Sequence, residues 1–164
     1  IAALIKLTSK GPVFYNQERA GLHGRIFKIY KFRSMYQDAE KDTGAVFAKE
    51  NDPRMTPIGR IMRKIRLDEL PNFITVLKGD MSFIGPRPER PEHINNLKAQ
   101  FPFYIGRLQV RPGITGWAQV NGNYEDIEFK IHYDRYYIEN MSLLLDLIIF
   151  LKTIPTVIFG KGAR

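Results

Sequence analysis

Asp68 and Glu69 stand side by side just before a short apolar run, Phe73, Ile74, Val76 and Leu77, with Gly79 where a helix would stop. That pattern makes Asp68 the expected N-cap, and Pro71 suits a first helical turn, where its missing N–H has no partner to lose. Carboxylates at the positive end of a helix dipole stay ionised, and the same end favours a phosphate or a metal-phosphate nearby. Arg87 lies between Pro86 and Pro88, so its backbone is stiff and its guanidinium is free to grip a phosphate with two prongs. Arg111, in a Pro- and Gly-rich turn, is a second candidate phosphate ligand. Two adjacent helical residues point about 100° apart, which rules against a symmetric acid pair of the glycosidase kind. Without cysteine, and without histidines at ligand spacing, a zinc hydrolase is disfavoured as well. Considered alone, the dyad is better explained as helix capping than as a catalytic pair.

Several elements must hold these residues in place. Val13–Tyr15 and Ile26–Phe32 are rich in β-branched and aromatic residues around Gly21 and Gly24, which predicts a β-hairpin carrying Gln17, Arg19, Lys28, Lys31 and Arg33. Tyr36–Met55 is polar and reads as a surface excursion and candidate lid. Thr56 and Pro57 open a helix with Ile58, Ile61, Met62 and Ile65 on one stripe and Arg60, Arg63, Lys64 and Arg66 beside it. Its reading divides between a membrane-surface helix and a core helix with a wet basic face. Pro91 begins a further helix, with Ile94, Leu97 and Phe101 on one side and His93 as a surface residue. The loop after Arg111 holds Trp117, for which core packing and lipid anchoring are both open. Asp126–Asn140 comes next as an aromatic helix that includes Asp134. Ser142 then caps an apolar helix, Leu143–Phe159, which Asp146, Lys152 and Pro155 make a poor membrane span. Asp146 sits among Leu144, Leu145, Leu147 and Ile148, so it requires either an arginine partner or a role in the site.

Composition narrows the ligand. The chain has 164 residues, 44% of them apolar, and 25 Lys and Arg against 17 Asp and Glu give a formal charge of +8. That size suits one domain with its own core, and that charge suits an anionic partner: nucleic acid, a phosphorylated substrate or a lipid surface. The basic residues are scattered over many elements and form no recognised nucleic-acid motif, so no nucleic-acid partner is expected.

Several long motifs occur in order: Lys10-Gly-Pro-Val-Phe-Tyr15, Lys31-Phe-Arg-Ser-Met35, Asp68-Glu69, Pro86-Arg-Pro88, Arg111-Pro-Gly-Ile-Thr-Gly-Trp-Ala-Gln-Val-Asn-Gly122, Asp146 and Lys152-Thr153. With these, almost the whole chain resembles the bacterial monotopic phosphoglycosyl transferases, also called bacterial sugar transferases or polyprenyl-phosphate sugar phosphotransferases, most of all the exopolysaccharide and capsule enzymes. The resemblance implies that residues 1–164 form one catalytic domain. It makes Ile1–Leu7, too short to span a bilayer, the end of a truncated upstream membrane segment. The implied fold is α+β and mostly helical, a small N-terminal β-hairpin with amphipathic helices packed around the site at a membrane surface.

The resemblance also implies the chemistry. Asp68 is the nucleophile, Glu69 the Mg²⁺ ligand, and Lys31, Arg33, Arg87 and Arg111 bind substrate phosphates, with Asp146 and Asp134 as supporting acids. The aspartate displaces UMP from a UDP-sugar, and polyprenyl phosphate then takes the phospho-sugar, at the cytoplasmic face of the bacterial inner membrane. Homo-oligomerisation stays open. The rival from another class is a non-enzymatic assembly module at the membrane surface.

Overall fold

The protein is described by a computed structural model, which covers residues 1–41, 44, 46, 52–122 and 126–158. A short helix, α1 (Ala2–Thr8), leads into an antiparallel hairpin of β1 (Phe14–Ala20) and β2 (Ile26–Phe32). Tyr15 pairs with Lys31, Gln17 with Ile29 and Arg19 with Phe27, so these six share one face. Phe27 and Ile29 bury that face against Met81, Val76 and Ile114, and the polar members open beside them. The hairpin read from the sequence is present, with its first strand extended to Ala20. Parts of the Tyr36–Met55 excursion, residues 42–43, 45 and 47–51, lie outside the described residues.

Thr56 caps α2 (Pro57–Lys64), accepting from the Gly59 N–H at 3.0 Å. Gly59 is the contact point of this helix: a β-carbon there would sit 1.9 Å from the Ser34 carbonyl oxygen, so no other residue lets α2 lie against the chain leaving β2. Arg66 then adopts a left-handed conformation, φ 53°, and ends the run. The next segment departs from the expected helix. Asp68 caps no helix; it lies inside a 3₁₀ segment, Leu67–Asn72, and α3 (Phe73–Leu77) starts only afterwards. The break at Arg66 sets the direction of the 3₁₀ segment, and Pro71, with no N–H to give, fits its tight turns. Gly79, φ 82°, ends α3 as read.

A second sheet was not legible. β3 (Ser82–Ile84) and β4 (Gly113–Thr115) pair in parallel, β4 lying in the stretch after Arg111 that reads as a turn-rich loop. α4 (Pro91–Gln100) packs Ile94 with Ala20 and Tyr104 in one core cluster, and the 3₁₀ segment Pro102–Gln109 supplies Tyr104. After α5 (Trp117–Asn121) comes α6 (Ile127–Glu139), capped by the Asp126 side chain, and then α7 (Leu143–Ile158). Tyr137, Leu145 and Ile149 form the cluster that joins α6 to α7. The architecture is α+β and mostly helical, as expected, and among the described residues no helix is long and apolar enough to cross a membrane.

Candidate active site

Asn72 sets the site. Its side-chain oxygen accepts from the Tyr30 N–H at 3.1 Å, which docks the Leu67–Asn72 segment against β2 and brings Glu69 beside Lys31. Lys31 Nζ donates to Glu69 Oε1 at 2.6 Å. Arg87 reaches the same carboxylate with two prongs, Nη2 to Oε1 at 2.5 Å and Nη1 to Oε2 at 3.3 Å. Burial alone would raise the Glu69 carboxyl, but the charges and hydrogen bonds of Arg87 and Lys31 hold it well below the usual range. Asp68, 5% exposed, behaves the opposite way: burial pushes its carboxyl up against the pull of Lys31, and the Glu69 charge adds to the push.

These groups line a cleft of about 1070 Å³ that runs between the hairpin, α2, the Asp68–Glu69 segment and the Arg87 turn. Among the described residues its walls carry nine Lys or Arg side chains against five Asp or Glu, which selects for an anionic occupant. No group of three or more His, Cys, Asp or Glu side chains that could hold a metal occurs among the described residues. Glu69, the carboxylate expected to bind magnesium, has both oxygens engaged by Lys31 and Arg87, so an ion of this kind, which binds one or two carboxylates together with substrate phosphates, would need those cations to move to the phosphates first.

Of the residues singled out from the sequence, Lys31, Arg33, Asp68, Glu69 and Arg87 share this cleft, whereas Arg111, Asp134 and Asp146 do not line it. Arg33 borders it, but its guanidinium is turned to backbone, donating to Pro12 O at 2.6 Å and Ser9 O at 3.0 Å. It ties the segment after α1 to the hairpin instead of presenting an open phosphate clamp. Arg111 is an exposed side chain on the parallel-sheet turn. Asp134 is buried and ion-paired with Arg107 at 2.7 Å. Asp146 is only half-buried, because Leu144 and Leu147 face outward, and its partner is the Tyr137 hydroxyl at 2.9 Å and not an arginine. Trp117 is half-buried, stacked on Tyr136 with Lys152 Nζ 4.7 Å from its ring centre.

Arg63, Arg19 and Glu89 also belong to the cleft, although none of them was assigned a role in the site from the sequence. Arg63 lies beside Asp68 and donates to Ser34 Oγ at 2.8 Å; its spacing of four from Gly59, on the helix face that touches Ser34, was the available signal. Arg19 shares a strand face with Gln17 and Tyr15 by simple alternation, and Glu89 directly follows the Pro-Arg-Pro turn.

Known proteins match the chain along almost its whole length. The family model for bacterial sugar transferases matches residues 1–160. A UDP-N-acetylgalactosamine-undecaprenyl-phosphate N-acetylgalactosaminephosphotransferase from Aeromonas hydrophila is 53% identical over 99% of this chain and 39% of its own length. A UDP-glucose:undecaprenyl-phosphate glucose-1-phosphate transferase from Escherichia coli (strain K12) is 42% identical over 99% of the chain and 36% of its own. The chain thus spans well under half of these two relatives. It spans 77% of the exopolysaccharide production protein ExoY of Rhizobium meliloti (strain 1021), at 36% identity.

Proposed function

The chain belongs to the bacterial sugar transferase family, and on that premise we propose that it moves a sugar 1-phosphate from a UDP-sugar to undecaprenyl phosphate. The observation that carries the reading is the arrangement of Asp68 and Glu69 in one basic cleft, Glu69 shared by Lys31 and Arg87. A carboxylate cannot approach a diphosphate unless the charge on the phosphates is neutralised. Lys31 and Arg87 stand ready for that task, with Glu69 holding them in place until substrate phosphates take over.

An Asp68 carboxylate oxygen then attacks the sugar-bearing phosphorus. The bond from that phosphorus to the bridging oxygen breaks, and UMP departs with the electron pair. The resulting acyl phosphate holds the phospho-sugar on the protein until an oxygen of the lipid phosphate attacks the same phosphorus, returning the Asp68 carboxylate and releasing the undecaprenyl diphosphate sugar. Once substrate phosphates draw Lys31 and Arg87 away, Glu69 would be the residue to hold a Mg²⁺ ion, whose chemistry would be further charge neutralisation. Arg63, lying beside Asp68, adds positive potential where the phosphoryl oxygens gather.

A lipid acceptor calls for a site at a membrane surface, and on the family reading that surface is the cytoplasmic face of the bacterial inner membrane. Leu70, Phe73, Ile74, Leu77 and Phe83 support this, since they leave a large apolar patch exposed next to the dyad. The experiment that tests the function offers a panel of UDP-sugars with undecaprenyl phosphate and Mg²⁺ and reads UMP release. UMP with at least one sugar, and a phospho-sugar adduct on Asp68 by mass spectrometry when the lipid is omitted, are expected. Absence of UMP from every sugar overturns the reading.

A further inference from the structure

The turn that carries Arg87 has every backbone carbonyl fastened. Pro86 O accepts from the Gly113 N–H at 2.9 Å and Glu89 O from the Ala20 N–H at 2.9 Å. Between them, the Arg87 and Pro88 carbonyls are taken by side chains: Arg107 Nη2 donates to Arg87 O at 3.0 Å, and Arg19 Nη1 to Pro88 O at 3.0 Å.

Arg107 is held in turn. Its Nη2 lies 2.7 Å from Asp134 Oδ2, its Nη1 lies 3.5 Å from Glu89 Oε1, and it donates to the Tyr104 hydroxyl. Lys130 Nζ completes the cluster at 3.0 Å from Glu89 Oε1. Arg107, Glu89, Lys130 and Asp134 are all buried, each at most 6% exposed. Charges buried this deeply carry a desolvation cost, and a well-packed apolar cluster usually stabilises a fold at least as well. What an apolar cluster could not supply is the N–H that fixes the Arg87 carbonyl.

We infer that Arg107, gripped by Asp134 and Glu89, is a positioning residue that sets the direction in which the Arg87 guanidinium enters the cleft. Arg107 does not line the cleft, so it acts through Arg87 and not on substrate. The inference rests on the proposed function insofar as Arg87 binds a diphosphate. Lysine at 107 keeps the charge but has no planar fork with which to span Asp134 and the Arg87 carbonyl together.

The test is a double-mutant cycle on the full-length protein, Arg107→Lys with and without Arg87→Ala, read both as kcat/KM for UMP release and as UDP affinity by calorimetry. With Arg87 present, Arg107→Lys is expected to lower both quantities about tenfold; with Arg87→Ala already made, less than about twofold. A purely structural role would lower both backgrounds by the same factor, and that result, or no loss where Arg87 is present, overturns the inference. Should Arg107→Lys fail to fold, Asp134→Asn enters the same cycle with the same expectation. UDP binding that follows the cycle in a protein releasing no UMP would remove the proposed function and uphold the positioning; no UDP binding by the parent protein overturns both.

Discussion

Lys31 Nζ lies 2.6 Å from Glu69 Oε1, on the same oxygen that Arg87 reaches, so one carboxylate balances both of the cleft's central cations. Glu69→Gln keeps the shape and removes the counter-charge. Leaving two largely buried cations short of an anion is expected to cost about 2 kcal/mol, or about 5 °C in Tm for a chain of this size. An anionic ligand should repair this defect. UDP added with EDTA present is expected to raise the Tm of Glu69→Gln by more degrees than it raises the parent's; an equal rise would mean that the phosphates do not reach Lys31 and Arg87.

Asp68→Asn separates chemistry from stability. Loss of the attacking oxygen is expected to lower UMP release by about 10³-fold or more. The fold should not suffer, because burial already disfavours the charge on Asp68, and a neutral amide of the same shape removes that cost. Melting at or above the parent's temperature together with lost turnover is the expected pair of results. A variant that melts normally and still releases UMP would show that Asp68 is not the nucleophile, whereas a parent protein that releases none would point to the assembly-module reading.

Acid should loosen the molecule through Glu89. Burial alone would raise its carboxyl, but Arg107, Lys130 and Arg19 bring it down from 4.5 to about 2. Tyr104, Asp134 and His93 also face it, and Asp134, pushed upward by burial, works in the opposite sense. A carboxyl lowered in the folded state stabilises it above its unfolded value, and that contribution fades as pH falls from 4.5 towards 2. It amounts to at most about 3 kcal/mol. Urea unfolding at pH 6, 4 and 3 should show this loss, and Glu89→Gln should flatten it while lowering stability at pH 6. An equally steep acid loss in that variant would assign the effect to other carboxyls.

The sequence made local features plain and long-range ones obscure, and Lys31 and Arg33 show the division. Both follow from one strand pattern, yet β2 ends at Phe32, alternation stops, and Arg33 folds back to the Ser9 and Pro12 carbonyls while Lys31 faces Glu69. Thr56 and Ser142 were readable as caps because a cap is a contact across three residues. Ser82 pairs with Gly113 and Arg107 with Asp134 across gaps that no periodicity reports. The apolar run around Asp146 predicted burial, but Leu143, Leu144 and Leu147 are exposed, since hydrophobicity says that a residue avoids water and not which surface covers it.

A second exposed apolar surface, on α3 and β3, bears on where the cleft lies. Leu77 is 88% exposed at the end of α3, in line with Phe73, Ile74 and Phe83, and this patch follows the dyad directly in the chain. A lipid phosphate can meet the phospho-sugar on Asp68 only if the cleft lies at headgroup depth, which a patch buried in the acyl boundary would ensure. Burying one leucine is worth about 1.5–3 kcal/mol, so Leu77→Glu should weaken partition onto phosphatidylglycerol vesicles by about tenfold or more. UMP released in the absence of lipid acceptor should stay at the parent's level, because Leu77 does not line the cleft, while transfer to undecaprenyl phosphate embedded in the same vesicles falls. Sedimentation with vesicles and radiolabelled transfer measure the two quantities. Unchanged partition of the variant would remove this face from the membrane, and a parallel loss of UMP release would show instead that the substitution had damaged the site itself.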